Sequence, residues 1–363
     1  MKIDSIISYL EELAPLCFQE EYDNSGLIIG DKSSDFKSAL IALDCTEEVL
    51  NEAIEMNCNL LITHHPLIFK PIKKLTGSNP IERIIIKAIK HNLCIYSMHT
   101  NLDNVKYGVN KKIADIIGVE NVKILSPKKN LLRQLVVYCP KKDCESLRLA
   151  LFQAGAGSIG DYDYCSFNLQ GKGTFRPLQN ANPHVGDIGK IHTEDEERIE
   201  VVYSLNKEKE ILSAMQESHP YEQIAYQLYT LENLLNDVGS GMIGDLAEPI
   251  EVDVFLTKIK DDMRAQCIRY TDAKKKFIRK VAICGGSGSF LLKEAKNSGA
   301  DIYISSDFKY HEFFDSESII IADIGHYESE QFTKNLIHDL LSKKFTNFAF
   351  LLSKTNTNPI KYL

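Results

Sequence analysis

The sequence lacks the short signatures by which many proteins are assigned to a class. Its nine cysteines include no CxxC pair, and this odd, unpatterned set indicates reduced thiols rather than a disulfide framework. No apolar run approaches the length that spans a bilayer. HExxH, GxSxG and a complete P-loop are also absent. These absences predict a soluble, cytoplasmic protein outside the zincin, serine-hydrolase and P-loop classes.

Length and charge set further bounds. A chain of 363 residues exceeds what one hydrophobic core usually supports, so two domains are expected. A net charge of −8 argues against broad binding to nucleic acid or anionic membranes, although it leaves room for a local basic patch. The first fifteen residues mix acidic and apolar positions at helical spacing. This pattern predicts an amphipathic helix rather than a signal peptide.

Strand and helix patterns alternate through both ends of the chain, with a period near thirty residues. Such alternation predicts an α/β fold with a doubly wound, mostly parallel sheet. The helix patterns are at 47–57, 80–92, 289–299 and 327–344. The strand patterns are at 39–44, 60–62, 93–103, 276–286, 300–307, 318–325 and 348–353.

The middle of the chain has a different pattern. From about residue 130 the order is strand, helix, strands, helix and strand, which is typical of a ferredoxin-like α+β domain. We therefore predict that 129–234 is a domain inserted into a discontinuous α/β core domain made of 1–128 and 235–363.

Two adjacent histidines follow one of the predicted buried strands. The segment NLLITHHPLIF (59–69) places an apolar run before His64 and His65 and closes it with Pro66. Ligands of open α/β sheets collect at this carboxyl edge of the strands. A histidine pair can also consist of one core residue and one surface residue with no shared task. The partners that the rest of the chain supplies decide between these interpretations.

Three further residues are placed to join the histidines. Asp103 ends the segment HTNLD after the neighbouring strand. His326 and Glu330 are four residues apart, so they share one face of the helix that follows the SIIIADIG strand. Imidazoles and carboxylates bind divalent cations. Because adjacent residues of a strand point to opposite sides, we expect His64 and His65 to bind separate ions, with a carboxylate such as Glu330 between them.

Four other polar residues near strand ends are weaker candidates. His99 precedes Asp103, and His311 lies in SSDFKYHEFF; either could orient a ligand or transfer a proton, and either could be structural. Asp44 and Asp307 also close strands, where helix capping is the simpler interpretation.

A glycine-rich loop, ICGGSGSF, joins a predicted strand to a helix at 283–290. Its Gly285, Gly286 and Gly288 amides could cradle an anion such as a phosphate. The loop does not fit GxGxxG.

Together these motifs resemble the GTP cyclohydrolase I type 2 homologues, also called the Nif-three-like family, over essentially the whole chain. Tyr22 stands where that family usually has tryptophan, which keeps an aromatic ring. The motifs that carry the resemblance are EYDNSGL, ITHHPLIF, HTNLD, CGGSGSF, SSDFKYHE and GHYESE.

The resemblance implies a centre of two divalent metal ions. By the matching motifs, His65 and Asp103 would serve one ion. His64 and His326 would serve the other, and Glu330 would be shared. Zinc is the first expectation, and manganese, iron or nickel also suit such ligands.

The resemblance extends to the inserted segment and to assembly. GKGTFRPLQNANPHVG and SHPYEQIAY are similar to the PII/CutA-like insert of family members. Such members form toroidal homohexamers, trimers of dimers with the metal sites facing an internal cavity. His99 and His311 match further histidines of the family motifs near the site.

Two functions follow as hypotheses. The first is a metal-dependent hydrolase acting on GTP, a related nucleotide or another phosphorylated small molecule. The second is a non-catalytic metal-binding or regulatory protein whose insert acts as a sensor or assembly module. A nucleic-acid partner finds little support in an acidic chain without a recognisable reader motif.

Overall fold

The computed structural model describes residues 1–272 and 275–363, which form two compact units. The core unit comprises Met1–Pro127 and Asn236–Leu363, and the inserted unit comprises Lys128–Leu235. No helix in these described ranges is long and apolar enough to cross a membrane.

We number strands and helices in chain order. Up to the end of the first core segment these are α1 (Ile3–Leu13), β1 (Gly26–Ile29), β2 (Ser38–Ala42), α2 (Glu47–Glu55), β3 (Leu60–Thr63), α3 (Pro80–Lys90), β4 (Cys94–Ser97), α4 (Thr100–Asp103), α5 (Val109–Ile117) and β5 (Val119–Lys128). The inserted unit contributes β6 (Leu132–Pro140), α6 (Cys144–Gln153), β7 (Phe167–Phe175), β8 (His192–Ser204), α7 (Glu208–Ser218) and β9 (Tyr226–Leu231). The chain continues with β10 (Leu235–Glu251), α8 (Val252–Asp262), β11 (Arg269–Tyr270), β12 (Phe277–Ser287), α9 (Leu292–Asn297), β13 (Ile302–Ser306), β14 (Ile320–Asp323), α10 (His326–Glu330), α11 (Thr333–Lys344) and β15 (Ala349–Leu352).

Local sequence explains where several of these elements begin and end. Asn79 caps α3 by accepting a hydrogen bond from the amide of Glu82, and Pro80 fits the first turn because it needs no donor there. Thr46 caps α2 in the same way. Helix α5 ends at Gly118, whose φ of 78° is the left-handed conformation that glycine adopts readily.

The core unit contains two sheets rather than the single doubly wound sheet predicted from the alternating pattern. The first has the order β1-β4-β3-β2-β15, with β15, β2, β3 and β4 parallel and β1 antiparallel at one edge. The second has the order β11-β14-β13-β12-β10-β5, with β12, β13 and β14 parallel. The prediction missed the long strand β10, which pairs antiparallel with β12 and lies between β12 and β5 in the second sheet. The fold is therefore mixed α/β.

Both sheets are buried on their two faces. Ile62 of β3 and Ile283 of β12 belong to one shared hydrophobic core, which also takes in side chains of α1, α5, α8 and α11. The opposite face of the first sheet, which includes Leu61, packs on α2 and α3. The opposite face of the second sheet, which includes Tyr303, packs on α9. Burial on both faces explains why the strands read as continuous apolar runs.

The inserted unit is built around one four-stranded antiparallel sheet. Its strands follow the order β7-β8-β6-β9, with all three pairings antiparallel. Leu135, Ile199 and Tyr203 on one face of this sheet pack with residues of α6 and α7 in a separate core.

Two predicted elements of the core unit have other boundaries in the structure. The long helix expected at 327–344 is divided into α10 and α11. The segment 93–103, expected to be a strand with its C-terminal loop, contains β4 and then the single-turn helix α4, which ends at Asp103. Both differences lie beside the histidines, and they fix which side chains face them.

Candidate metal centre

The core unit brings the five predicted metal ligands into one cluster. His64 and His65 directly follow β3, and Asp103 is the last residue of α4, shortly after β4. His326 and Glu330 are the first and last residues of α10, which follows β14 in the second sheet. The cluster therefore lies where the carboxyl ends of parallel strands from both sheets meet.

Glu330 is the centre of this cluster. Its Oε2 lies 2.9 Å from Nε2 of His65 and 3.1 Å from Nε2 of His326. Its Oε1 lies 3.7 Å from Nε2 of His64. Nε2 of His64 is also 3.7 Å from Oδ1 of Asp103, so Asp103 lies near His64 as well. The two oxygens of one carboxylate thus face two different sets of ligands.

The residues lie beside one another in a different pairing from the one that the family motifs imply for the ions. His64 lies with Asp103, and His65 lies with His326, whose Nε2 is 3.4 Å from Nε2 of His65. The expectation that the adjacent histidines face separate positions agrees with the arrangement. The difference is that Asp103 lies beside His64 rather than His65, and His326 lies beside His65 rather than His64.

The strand order of the first sheet explains this difference. The ring of His64 turns toward β4, where its Nδ1 lies 2.6 Å from the carbonyl oxygen of Met98. The ring of His65 turns toward β2, where its Nδ1 lies 2.7 Å from Oδ1 of Asp44. Since β4 and β2 flank β3 on opposite sides, His64 meets Asp103, which follows β4.

Three carboxylates hold the imidazoles by the ring nitrogen that points away from the cluster. Nδ1 of His65 donates to Asp44, that of His326 to Asp307, and that of His99 to Asp23, each at 2.7 Å. Such bonds fix the ring and leave Nε2 to bind a metal or substrate.

Asp44 and Asp307, expected as helix caps, contact histidines instead, and Asp23 was not predicted. Asp44 and Asp307 each follow a strand that neighbours β3 or β14, and both of these strands lead to a histidine. Asp23 lies in the loop before β1, where the sequence carries no such signal.

Buried atoms without partners indicate that the cluster fits a cation. His64 is completely buried, and neither its Nε2 nor Oδ1 of Asp103 has a hydrogen-bond partner among the described residues. Buried polar atoms are nearly always paired. Because the Met98 carbonyl can only accept, Nδ1 of His64 carries the proton and its Nε2 lone pair faces two carboxylates. Burial also lowers the pKa of His64, which keeps the ring neutral. A neutral imidazole and carboxylates are the donors that a divalent cation requires.

Proton affinities in the cluster support the same conclusion. Burial alone would lower the pKa of His65, but its bonds with Asp44 and Glu330 raise it to about 10. Burial opposes the bonds with Asp307 and Glu330 at His326 as well, and these bonds raise that pKa to about 11. At Glu330, burial favours the neutral acid, yet the surrounding imidazoles hold the pKa well below its usual range. The protons held by His65 and His326 thus supply positive charge next to Glu330. A divalent ion that displaces these protons would supply that charge instead.

The glycine loop packs against Glu330, and two of its three predicted anion-binding amides are already bonded. The amides of Gly285 and Gly286 donate to Asn110 and Ser329, each at 2.9 Å. A Cβ atom on Gly286 would lie 2.3 Å from Oε1 of Glu330, so glycine is needed there because the chain passes close to the cluster. A Cβ atom on Gly288 would meet the hydroxyls of Ser305 and Tyr303.

The two tentative catalytic histidines have different surroundings. The ring of His99 lies 5.4 Å from that of His64 and 5.5 Å from that of His65, between ring centroids. His311 is exposed on a 3-10 turn, where its ring contacts Tyr310 and Phe314. The structure brings His99 to the cluster and leaves His311 outside the cavity described next.

The cluster opens into a cavity of about 810 Å³ in the core unit. His65, His99 and Glu330 lie on its wall, together with Tyr22 and Phe69. A volume of this size accommodates a small-molecule ligand.

Comparison with known proteins shows full-length similarity. A protein-family model described as "Duf34/NIF3 (NGG1p interacting factor 3)" matches residues 1–359. Two relatives, both named "GTP cyclohydrolase 1 type 2 homolog", come from Bacillus subtilis and Halalkalibacterium halodurans. They are 35% and 36% identical over 365 residues, which is 99% of this chain and 98% of each relative.

Solved structures are similar over the same length. A Bacillus cereus protein related to NIF3 has a TM-score of 0.83 at 34% identity, covering 100% of this chain and 99% of its own. A Staphylococcus aureus protein has a TM-score of 0.77 at 29% identity with the same coverage.

Replacing Gly286 by alanine should weaken metal binding because the new Cβ displaces Glu330. Gly299→Ala is the matched control, since Gly299 has a similar φ of 74° but no atom within 4 Å of an added Cβ. Titration with zinc against a chelator should show a loss of at least tenfold for Gly286→Ala only. Equal zinc affinity in the two variants would contradict the role assigned to this contact.

Asp307→Asn should lower metal affinity by about 10–100-fold, because it weakens the bond that orients His326 without removing a ligand. Asp315→Asn, an exposed position eight residues along the chain, should leave the affinity unchanged. The same chelator competition measures both. If both variants bind zinc as the parent does, Asp307 does not orient a metal ligand.

Proposed function

The chain belongs to the DUF34/NIF3 family, and we propose that its core unit binds two divalent metal ions and acts as a metal-dependent hydrolase. One observation carries the proposal: the buried carboxylate of Glu330 presents one oxygen to His64 and the other to His65 and His326. A carboxylate placed in this way is suited to bridge two cations.

Each proposed ion has its own set of ligands. His64 and Asp103 would hold one ion with Oε1 of Glu330. His65 and His326 would hold the other with Oε2 of the same residue. Imidazole and carboxylate ligands suit zinc first, and manganese, iron or nickel as alternatives.

Paired metal ions of this kind make a water molecule acidic enough to attack at neutral pH and polarise the bond that is attacked. The protein itself supplies a group for proton transfer. His99 is held through Nδ1 by Asp23, and the bonds from His99 and Thr100 lower the pKa of Asp23 although its burial opposes this. Because Nδ1 of His99 donates to the carboxylate of Asp23, Nε2 is the ring nitrogen left to meet a substrate. We assign to Nε2 of His99 the transfer of a proton from water to the leaving group.

The substrate class is suggested by the name of the relatives. "GTP cyclohydrolase" describes hydrolytic opening of a ring in a nucleotide, and we propose the same class of reaction here. Water adds to a ring carbon, the bond from that carbon to nitrogen breaks, and the nitrogen takes up a proton. The nitrogen heterocycle is the part of the substrate on which this step acts.

For the inserted unit we propose a PII/CutA-like, ferredoxin-like domain that serves assembly into a homohexamer. The support is its order of strands and helices together with apolar side chains that the unit leaves exposed. Phe167 and Leu169 of β7 and Tyr229 of β9 are 62%, 46% and 48% exposed. Such residues are typical of surfaces that another protein covers.

The hydrolase proposal predicts metal-dependent turnover that needs His99. The protein would be loaded with zinc, manganese or iron and incubated with GTP, guanosine and a panel of other nucleosides and bases. Turnover should require the metal, and His99→Gln should lower kcat by about 10²–10⁴-fold because the proton transfer is lost. Its metal content, measured by elemental analysis, should equal that of the parent.

His338→Gln is the control, because this histidine lies on α11 outside the cavity. It should change neither turnover nor metal content. Metal-loaded protein that turns over no member of the panel would contradict the hydrolase and leave the non-catalytic, metal-binding function.

A further inference from the structure

We propose that the cavity at the metal cluster binds an uncharged or cationic planar nitrogen heterocycle and discriminates against a polyphosphate chain. The inference rests on the proposed function, because the cluster is where this heterocycle would react. It departs from GTP as the substrate and concerns the groups that line the cavity beyond the metal ligands.

The charge of the cavity wall is the first observation. None of the described residues that line it is lysine or arginine. Six of them are carboxylates, namely Glu20, Asp44, Glu47, Glu48, Asp103 and Glu330. Sites that bind phosphate chains in proteins rely on lysine, arginine, free backbone amides or metal ions, and the side chains of this wall supply no such cation. This wall offers the opposite charge.

Two divalent ions would not reverse this balance. Their four positive charges, together with that of Arg83 on Glu47, are still fewer than the six carboxylates of the wall. A triphosphate would add several negative charges to a wall that is already acidic, and like charges repel. A neutral heterocycle meets no such penalty, and a cationic one is attracted.

Basic residues near the rim do not compensate. Arg83 donates two hydrogen bonds to Glu47, so its charge is already paired. Lys70, Lys73 and Lys74 follow Phe69 in the chain, but they are exposed and do not line the cavity. In the glycine loop, the amides of Gly285 and Gly286 are bonded within the protein.

Aromatic rings on the wall are the second observation. Tyr22, Phe69 and Phe290 line the cavity and are 69%, 50% and 64% exposed. Phe69 packs edge-on against His99 with ring centroids 5.5 Å apart, which holds it next to the proposed proton-transfer group. Exposed rings around a cavity favour flat ligands that stack on them. Shape and charge thus select the same ligand class.

Equilibrium dialysis of the zinc-loaded full-length protein tests the inference at about 100 mM salt. The probes are adenine, guanine, cytosine and uracil, their nucleosides and their 5′-triphosphates, with tripolyphosphate alone as a further probe. For at least one base, the free base or nucleoside should bind at least tenfold more tightly than its triphosphate. Tighter binding of the triphosphate for every base, or no binding of any uncharged probe, would overturn the inference.

Two pairs of variants test whether residues of the cavity wall cause this preference for uncharged ligands over triphosphates. Glu48→Lys should raise triphosphate affinity at least tenfold, whereas Glu55→Lys, at the other end of α2 and outside the cavity, should not. Phe69→Ala should weaken nucleoside binding at least fivefold, whereas Leu75→Ala, equally exposed but outside the cavity, should not. Identical behaviour within each pair would contradict the assignment.

Binding and turnover separate this inference from the hydrolase proposal. Binding of an uncharged heterocycle without its hydrolysis would support the inference and contradict the hydrolase. Hydrolysis confined to triphosphates would support the hydrolase and contradict the inference.

Discussion

The buried carboxylate of Glu330 is the constraint on which the site depends. It is 3% exposed and lies among three imidazoles, so its charge must be matched within the protein. Gly286 has no side chain because an added Cβ would touch Glu330, and α10 ends at Glu330 before the chain continues into α11. The two sheets of the core unit bring their carboxyl edges together around this one group. Its two oxygens face different side chains, and the proposal of two metal positions rests on this geometry.

Hydrogen-bond acceptors around the cluster fix the orientation of each imidazole. Asp44, Asp307 and the carbonyl of Met98 bind the Nδ1 atoms, so the Nε2 atoms converge. Asp23 does the same for His99, which borders the cavity beside the cluster. The same acidic character extends along the cavity wall. It favours metal binding and, by the same charge, disfavours phosphate chains.

The residues that form the cluster could be predicted from sequence, and their arrangement could not. The positions of His64, His65 and Asp103 after apolar strands, and the spacing of His326 and Glu330, place all five at strand or helix ends. The pairing of His64 with Asp103 depends on which strands flank β3, and this order is decided by tertiary pairing. The glycine pattern predicts an anion site because it indicates a flexible loop between a strand and a helix. The pattern does not show which partners the loop amides bind, and two of these amides bind within the protein. The long strand β10 was missed, and with it the division of the core into two sheets.

We propose that Glu330 bridges two metal ions with distinct ligand sets, and anomalous X-ray diffraction from zinc-loaded crystals, recorded at the zinc edge, can locate such ions. We expect two peaks per chain, one beside His64 and Asp103 and one beside His65 and His326, with Glu330 between them. A single peak, or two peaks that Glu330 does not join, would contradict it.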